Sequence, residues 1–242
     1  MDSRTALKSN TTLRFNDGYK YTITDELARG GSSIVYNAFY IDNLREKKAV
    51  RIKECYPFKC NLVRDPDGGL LVPEAEKALF SEAKQKMRRA YQLGNEFFSS
   101  DGLTNLTANT YNIFESNNTL YVVSAYAQGQ ELSYRRYSMV KDSIAAVKSV
   151  ANAVCRIHNK GFLYLDIKPS NIMTLEGTTE LVQLFDFDTV VPISNITELG
   201  DKISYTKGFA ALELQRGDYK RIGKHTDVYG IGALLFYMLF DR

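Results

Sequence analysis

The chain has 242 residues, of which 44% are hydrophobic and 24% charged, and a formal net charge of +3 at pH 7. This composition is typical of a soluble globular protein, and the weak charge argues against nucleic-acid binding. Cys55, Cys60 and Cys155 form neither a metal-ligand spacing nor a disulfide framework, which favours a reducing, cytoplasmic location. The longest apolar run, Ile231–Phe240, is too short for a membrane span, so we expect a buried helix there.

The first half of the chain is predicted to be rich in strands. Residues 1–18 are polar and are interpreted as an irregular leader. Alternating apolar residues and turn signals predict strands between residues 19 and 53. Residues 56–73 contain three prolines and an adjacent pair of glycines, so we interpret them as an irregular excursion. Apolar residues at helical spacing predict one long amphipathic helix from residue 74 to about residue 98.

The second half is predicted to be mainly helical. Two strands around residues 111–114 and 120–126 come first, and the clearest helices are residues 143–159 and 226–240. A strand-rich first half and a helix-rich second half predict an α+β protein of two lobes. The predicted organisation is a leader (1–18), an N-lobe (19–126) and a C-lobe (127–242).

The most specific chemical pattern is the run that begins at Asp166 and ends at Asn171. From one loop, Asp166 can accept a hydroxyl proton, Lys168 can neutralise a phosphate and Asn171 can hold a metal ion. Asp186 ends a predicted strand and can supply a second oxygen for Mg²⁺, which favours carboxylate and phosphate oxygens. Alone, the acidic run from Asp186 to Asp188 would be interpreted as a solvated turn. Together these side chains point to phosphoryl transfer, whose catalysis is mostly positioning and charge neutralisation.

Two weaker patterns precede that loop. In Gly30-Gly31-Ser32-Ser33, small residues allow backbone N–H groups to approach phosphate oxygens, and Val35 could cap a flat base, although a simple hairpin turn is equally compatible. Lys53 ends an apolar strand, where a lysine is unusual without an anionic partner. A surface strand end is the alternative for Lys53.

The order of these motifs resembles the protein kinases of the eukaryotic type, which bacteria also contain, over nearly the whole chain from about Tyr19. The resemblance implies a bilobal fold with a strand-rich N-lobe and a helical C-lobe. It further implies that Lys53 orients ATP phosphates, and that Ala125 and Ala127 of the fifth strand and hinge contact the nucleotide, with Ser124 as gatekeeper. The matching segments are residues 28–35, 50–53, 120–127, 164–171, 186–188, 206–213 and 227–230.

The same resemblance assigns roles in a Ser/Thr-directed kinase that uses ATP and Mg²⁺. Asp166 is implied as the residue that receives the hydroxyl proton, and Asn171 and Asp186 as the Mg²⁺ ligands. Thr206 is expected to hydrogen-bond Asp166 and Lys168. An aspartate at the start of the central C-lobe helix, residue 227, is expected to brace the catalytic loop. A protein substrate is the implied partner, and membrane insertion of this segment is not expected.

The chain departs from the family pattern at several positions. Leu165 stands where many relatives have an arginine, so activation-loop phosphorylation is not expected to act through that contact. Asp188 replaces a glycine and stiffens the segment after Asp186. Arg51 replaces a small residue expected to touch adenine, and its long side chain would crowd the base.

The acidic helix residue that should pair with Lys53 is not obvious, and Glu82, Gln92 and Glu96 are the candidates. The C-lobe is also expected to end early, soon after its central helix, leaving that helix to be covered by a partner or a second copy. Two interpretations follow: an active Ser/Thr protein kinase, or a pseudokinase that serves as a nucleotide-responsive or protein-binding module. A small-molecule phosphotransferase fits less well, because residues 206–213 resemble the protein-kinase activation segment.

Overall fold

The computed structural model describes residues 2–99, 110–126, 129–175, 178, 181–199, 203 and 205–240. The chain divides into two compact units. The first consists of Met1–Asn95 and Asn109–Tyr126, and the second of Glu96–Ala108 and Ala127–Arg242.

The first unit is built on a six-stranded antiparallel sheet with strand order β1-β2-β3-β4-β8-β7. The strands predicted before residue 53 and around residues 111–126 are confirmed, as is the long helix. The elements are β1 (Thr12–Arg14), β2 (Lys20–Arg29), β3 (Ser33–Ile41), β4 (Lys47–Cys55), β5 (Val63–Arg64), β6 (Leu70–Leu71), β7 (Thr110–Ser116), β8 (Thr119–Ala125) and α1 (Lys77–Ser99), whose residues from Glu96 onward belong to the second unit.

Strands β3 and β4 have two chemically different faces, because side chains alternate along a strand. Ile34, Tyr36 and Ile52 are fully buried in the core on one face. The other face carries Val35, which lies directly opposite Lys53 in the register of the two strands. The sheet therefore separates a hydrophobic core from the face that presents Lys53.

Residues 2–18 are not an irregular leader throughout, as the sequence had suggested. Strand β1 pairs with β2, and the side chains of Leu7 and Leu13 are 5% and 3% exposed. Phe15 stacks on Phe114 with ring centroids 4.2 Å apart. These apolar residues are scattered through a polar stretch, so local periodicity gives no sign of their burial. The free energy that holds the segment comes from contacts distant in sequence.

The prediction that residues 56–73 form an irregular excursion is also corrected. Strands β5 and β6 pair as a short hairpin, and Tyr56, Leu62 and Leu70 are buried in the core of the first unit. The guanidinium of Arg64 lies 2.6 Å from the carboxylate of Glu54, which is fully buried in β4. Proline and glycine correctly indicate turns here, but they do not reveal that the side chains between the turns are buried.

The second unit is mainly helical, and its helices α2 and α5 pack against each other. The predicted helices at residues 143–159 and 226–240 are confirmed, and so is the α+β fold class. The elements are β9 (Gly129–Glu131), α2 (Val140–Asn159), β10 (Phe162–Leu163), β11 (Ile172–Leu175), β12 (Val182–Leu184), β13 (Val191–Pro192), α3 (Ile196–Leu199), α4 (Leu212–Gln215) and α5 (Lys224–Phe240). Within the described residues, the helices are all too short or too polar to cross a membrane.

Candidate active site

The loop between β10 and β11 is held by one buried carboxylate at the start of α5. Asp227 accepts hydrogen bonds from the backbone N–H of Leu165 at 2.7 Å and of Tyr164 at 2.9 Å, and His158 Nε2 lies 2.7 Å from the same carboxylate. Leu165 has a φ of 64°, a left-handed conformation that leucine rarely adopts. The bracing contact expected of Asp227 is present, and it fixes a strained loop backbone.

Asp166 lies at the centre of the polar cluster that this loop presents. Its Oδ1 accepts a hydrogen bond from Thr206 Oγ1 at 2.7 Å, and its Oδ2 is 2.7 Å from Lys168 Nζ. Lys168 Nζ also donates to Thr206 Oγ1 at 3.0 Å, so both contacts expected of Thr206 are present. Asp166 is 8% exposed, and this set of partners fixes the orientation of its carboxylate.

Asn171 lies in the same cluster, and its amide orientation is set by Asp166. Asn171 Nδ2 donates to both the backbone oxygen and Oδ2 of Asp166, each at 3.0 Å. Because both bonds use the amide nitrogen, Oδ1 is the atom that Asn171 can offer to a cation.

The hairpin formed by β11 and β12 brings the second expected metal ligand to this end of the loop. Ile172 is opposite Leu184 in the register, and the N–H of Phe185 donates to the carbonyl of Asn171 at 3.1 Å. Asp186 follows directly, with a φ of 65°. An amide oxygen and a carboxylate are hard ligands of the kind that Mg²⁺ takes together with phosphate oxygens. The donor set therefore fits magnesium.

Tyr164 and Phe187 connect the loop to the segment after β12. The hydroxyl of Tyr164 donates to the carbonyl of Phe185 at 2.5 Å. Burial raises the pKa of Tyr164 well above its usual value, and the carboxylates of Asp186 and Asp166 raise it further, so the hydroxyl keeps its proton. The ring of Phe187 meets Tyr164 edge to face, with centroids 5.9 Å apart.

Sequence reasoning gave no role to the Tyr164 hydroxyl or to His158. The structure places His158 against Asp227, so it belongs to the support of the loop. Tyr164 is fully buried and His158 is partly buried, and each is a polar side chain beside a carboxylate. Their closeness to Asp166 along the chain was the available signal. It does not reveal their partners, Asp227 and Phe185, which lie far from them in the sequence.

The glycine-rich hairpin, residues 30–33, joins β2 to β3 in the first unit. It is closed by a hydrogen bond of 2.9 Å from the N–H of Gly30 to the carbonyl of Ser33. Val35 follows in β3 opposite Lys53, and Ala125 ends β8 opposite Val50. Ala127 lies outside the described residues.

Arg51 lies on β4, opposite Ser124 of β8. Its guanidinium carbon is 5.3 Å from the ring centroid of Tyr126, a cation–π distance. Its side chain is therefore directed toward Tyr126. The three candidate partners of Lys53, which are Glu82, Gln92 and Glu96, all occupy exposed positions of α1.

Comparison with known proteins places these features in a family. The family model described as "Protein kinase domain" matches residues 81–242. Serine/threonine-protein kinase D of Synechocystis sp. is 30% identical over 138 residues, which is 54% of this chain and 26% of that protein. Calcium/calmodulin-dependent protein kinase cmkA of Emericella nidulans is 29% identical over 135 residues, 52% of this chain and 31% of that protein. The matches thus span about a quarter to a third of these relatives.

A solved structure described as "PpkA-294 apo form" has the same fold. It aligns with a TM-score of 0.72 at 24% identity, covering 97% of this chain and 79% of that one. At this level of identity the likeness concerns the fold. It supports the bilobal kinase-like architecture that the sequence predicts.

Proposed function

The chain belongs to the protein kinase domain family, and from this premise we propose that it is a Ser/Thr protein kinase that moves the γ-phosphoryl group of ATP to a protein hydroxyl. The observation that carries the proposal is the cluster of Asp166, Lys168 and Thr206, with Asn171 oriented by Asp166. This arrangement has the parts that phosphoryl transfer needs, which are a proton acceptor, a cation for the phosphate and an oxygen ligand for a metal.

The second unit contributes the groups that act at the transferred phosphoryl. Asp166 orients the substrate hydroxyl and receives its proton. Lys168 neutralises charge on the phosphoryl oxygens, and its bond to Thr206 keeps the ammonium beside Asp166. Asn171 and Asp186 would hold Mg²⁺, which would neutralise negative charge on the phosphates when it is bound.

The first unit contributes groups that bind the rest of ATP. Lys53 orients the phosphates as a point charge, and the hairpin of residues 30–33 donates to them from N–H groups other than that of Gly30, which bonds Ser33. Val35 contacts the flat face of the base. Ala125 contacts its edge.

The remaining expectations follow from this activity. The partner is a protein that presents a serine or threonine hydroxyl, and the location is cytoplasmic. We further propose that the exposed rings of Phe236 and Phe240 on α5, which are 65% and 70% exposed, are covered by a partner or a second copy.

Transfer from γ-labelled ATP in the presence of Mg²⁺ tests the proposal. The wild-type chain should label itself or a generic protein substrate, and Asp166→Asn should reduce the rate by about 10²–10⁴-fold. Asp67→Asn is a matched control, because Asp67 is exposed in the β5–β6 segment. Equal labelling by wild type and Asp166→Asn would refute the proposed chemistry.

A thermal shift with ATP and Mg²⁺, measured beside the transfer assay, distinguishes an enzyme from a pseudokinase. A ligand that binds only the folded state raises the melting temperature. A shift without turnover would replace the proposal with a nucleotide-responsive module. No shift at millimolar nucleotide would favour a purely protein-binding role.

A further inference from the structure

The N-terminal segment, residues 2–8, contains an arginine whose surroundings are those of a core residue. Arg4 is 7% exposed. Its guanidinium donates to the carbonyl of Gly30 at 2.9 Å, to that of Ser33 at 3.4 Å and to that of Tyr56. Arginine has five N–H donors in a rigid planar fork, so one side chain can bind several carbonyls at once.

Other contacts hold Arg4 in this position. Asp2 accepts hydrogen bonds from Arg4 Nε and Nη2, and this ion pair holds the pKa of the Asp2 carboxyl well below its usual range. Arg29, at the end of β2, donates to the carbonyl of Arg4 at 2.7 Å. Tyr56 and Phe58 place their rings 5.9 Å and 5.8 Å from the guanidinium carbon. The arginine is therefore oriented before any ligand arrives.

The carbonyls of the glycine-rich hairpin all accept hydrogen bonds from within the protein. Gly30 bonds Arg4, Gly31 accepts from the N–H of Phe58 at 2.8 Å, and Ser32 accepts from the N–H of Tyr56 at 3.1 Å. Arg4 lies beside Tyr56 and Phe58, so the carbonyls of the hairpin that bond these three residues are directed to one side of it.

This arrangement fixes the direction of the N–H groups as well. In a trans peptide the N–H points opposite to the carbonyl, and the described chain has no cis peptide bond. The N–H groups of Gly31 and Ser32 are therefore directed away from Arg4 and the 56–58 segment. Successive N–H groups that point outward form a concave site for anions such as phosphate.

We propose that Arg4 is a positioning residue for the phosphates of the nucleotide. It fixes the carbonyls of the hairpin, so that the hairpin N–H groups are oriented for phosphate before binding. The inference rests on the proposed function and deepens it, because it makes the N-terminal segment a determinant of ATP affinity. Pre-orientation lowers the entropic cost of ordering the loop when the ligand binds.

The test uses the full chain with Arg4→Ala, Arg4→Lys and the matched control Lys8→Ala, which removes an exposed cation from the same segment. In the unliganded Arg4→Ala variant, amide hydrogen exchange of residues 29–34 should accelerate by about tenfold. Exchange in β4 and β8 should not change. A merely structural role would instead accelerate exchange over the whole first unit.

Kinetics provide the second measurement. Arg4→Ala should raise KM for ATP by about tenfold and leave kcat within about twofold, because Arg4 does not act on the transferred phosphoryl. Arg4→Lys should give an intermediate KM, since an ammonium has all its donors on one nitrogen, whereas Arg4 reaches the carbonyl of Gly30 from Nη2 and those of Ser33 and Tyr56 from Nη1. Lys8→Ala should match the wild type in both measurements.

The outcomes separate this inference from the proposed function. A wild-type chain that binds neither ATP nor ADP would refute the proposed function, and the positioning role with it. If the wild type is active, an unchanged exchange rate at residues 29–34 in Arg4→Ala would refute the positioning role alone. An accelerated exchange with an unchanged KM for ATP would refute it as well.

Discussion

The catalytic loop of the second unit and the glycine-rich hairpin of the first are supported in different ways. Residues 164–171 are fixed by charged groups, chiefly the carboxylate of Asp227 at the start of α5. Residues 30–33 are fixed through their backbone carbonyls, by Arg4 and by the N–H groups of Tyr56 and Phe58. One loop is therefore held chiefly by a side-chain carboxylate, whereas the other is held by hydrogen bonds to its own carbonyls from two other segments of the chain.

This difference explains why the catalytic loop can be recognised in the sequence and the support of the hairpin cannot. Phosphate and metal chemistry needs particular side chains at particular spacings, so the catalytic loop forms a compact motif. Support for the hairpin needs only backbone donors and one arginine, which many sequences can provide. Substitutions in the two regions should accordingly have different effects on stability and activity.

Replacement of Asp227 by alanine should have the largest effect. It leaves the buried N–H groups of Tyr164 and Leu165 without their acceptor and removes the partner of His158. We expect a loss of about 3–5 kcal/mol in unfolding free energy, together with loss of phosphoryl transfer. Chemical denaturation and the labelled-ATP assay measure the two effects.

Asp218→Ala serves as the control for that variant, since the Asp218 side chain is 43% exposed just before α5. It should change the unfolding free energy by less than about 0.5 kcal/mol. If Asp227→Ala were as stable and active as this control, the carboxylate would not be what holds the catalytic loop.

The sequence predicted the second unit better than the first for a physical reason. Asp166, Lys168 and Asn171 lie within six residues of one another, so spacing alone indicates that they converge. The hairpin of β11 and β12, with its observed register, is all that is needed to bring Asp186 back to the end of the loop. Local patterns therefore predict most of the geometry around Asp166.

The first unit could be predicted in its strands but not in its covering segments. Leu7 and Leu13 show no periodicity, and the turn residues of 56–73 conceal the buried Tyr56 and Leu70. The ion pair between Glu54 and Arg64 also cannot be predicted from the sequence pattern, because the two residues become partners only after the β5–β6 hairpin forms. These features depend on packing between residues distant in sequence, which a single sequence does not reveal.

The Glu54–Arg64 pair offers the next test of how the two units differ in their support. Glu54 is fully buried and also accepts hydrogen bonds from Tyr36 at 2.8 Å and Tyr121 at 3.0 Å. Glu54→Gln should cost about 3 kcal/mol in unfolding free energy, because it leaves the buried guanidinium of Arg64 without a counter-charge.

A double-mutant cycle isolates the pair from its surroundings. Glu54→Gln combined with Arg64→Met should be less destabilised than the sum of the two single variants, with a coupling of about 1–3 kcal/mol. Hydrogen exchange should show the change in the first unit and leave the catalytic loop as in the wild type. Strictly additive effects would mean that the pair does not join the 56–73 segment to β4.

The smallest expected effect concerns the exposed cluster of Glu115 with Lys84 and Arg88. The N–O distances are 2.7 Å and 2.6 Å, and the hydrogen bond from Lys84, with both positive charges nearby, lowers the pKa of Glu115 from its ordinary 4.5. Glu115→Gln should cost less than about 1 kcal/mol near neutral pH, because its side chain is 51% exposed and screened.

The sign of the pH dependence follows from the lowered pKa. The stabilisation is fully present above the unfolded-state pKa and is lost as the pH falls through the folded-state value. The difference in melting temperature between wild type and Glu115→Gln should thus be largest near neutral pH, smaller at high salt, and absent in strong acid. A difference that grows on acidification would contradict this reasoning.

The most direct test of the proposed function measures the initial rate of phosphoryl transfer as a function of Mg²⁺ concentration in wild type, Asp186→Asn and Asp188→Asn. We predict a rate that saturates with Mg²⁺ in the wild type, a rate lower by at least about 10²-fold in Asp186→Asn, and a rate near the wild type's in Asp188→Asn. Wild-type behaviour in Asp186→Asn would contradict the assignment of Asp186 as the metal ligand and the mechanism built on it.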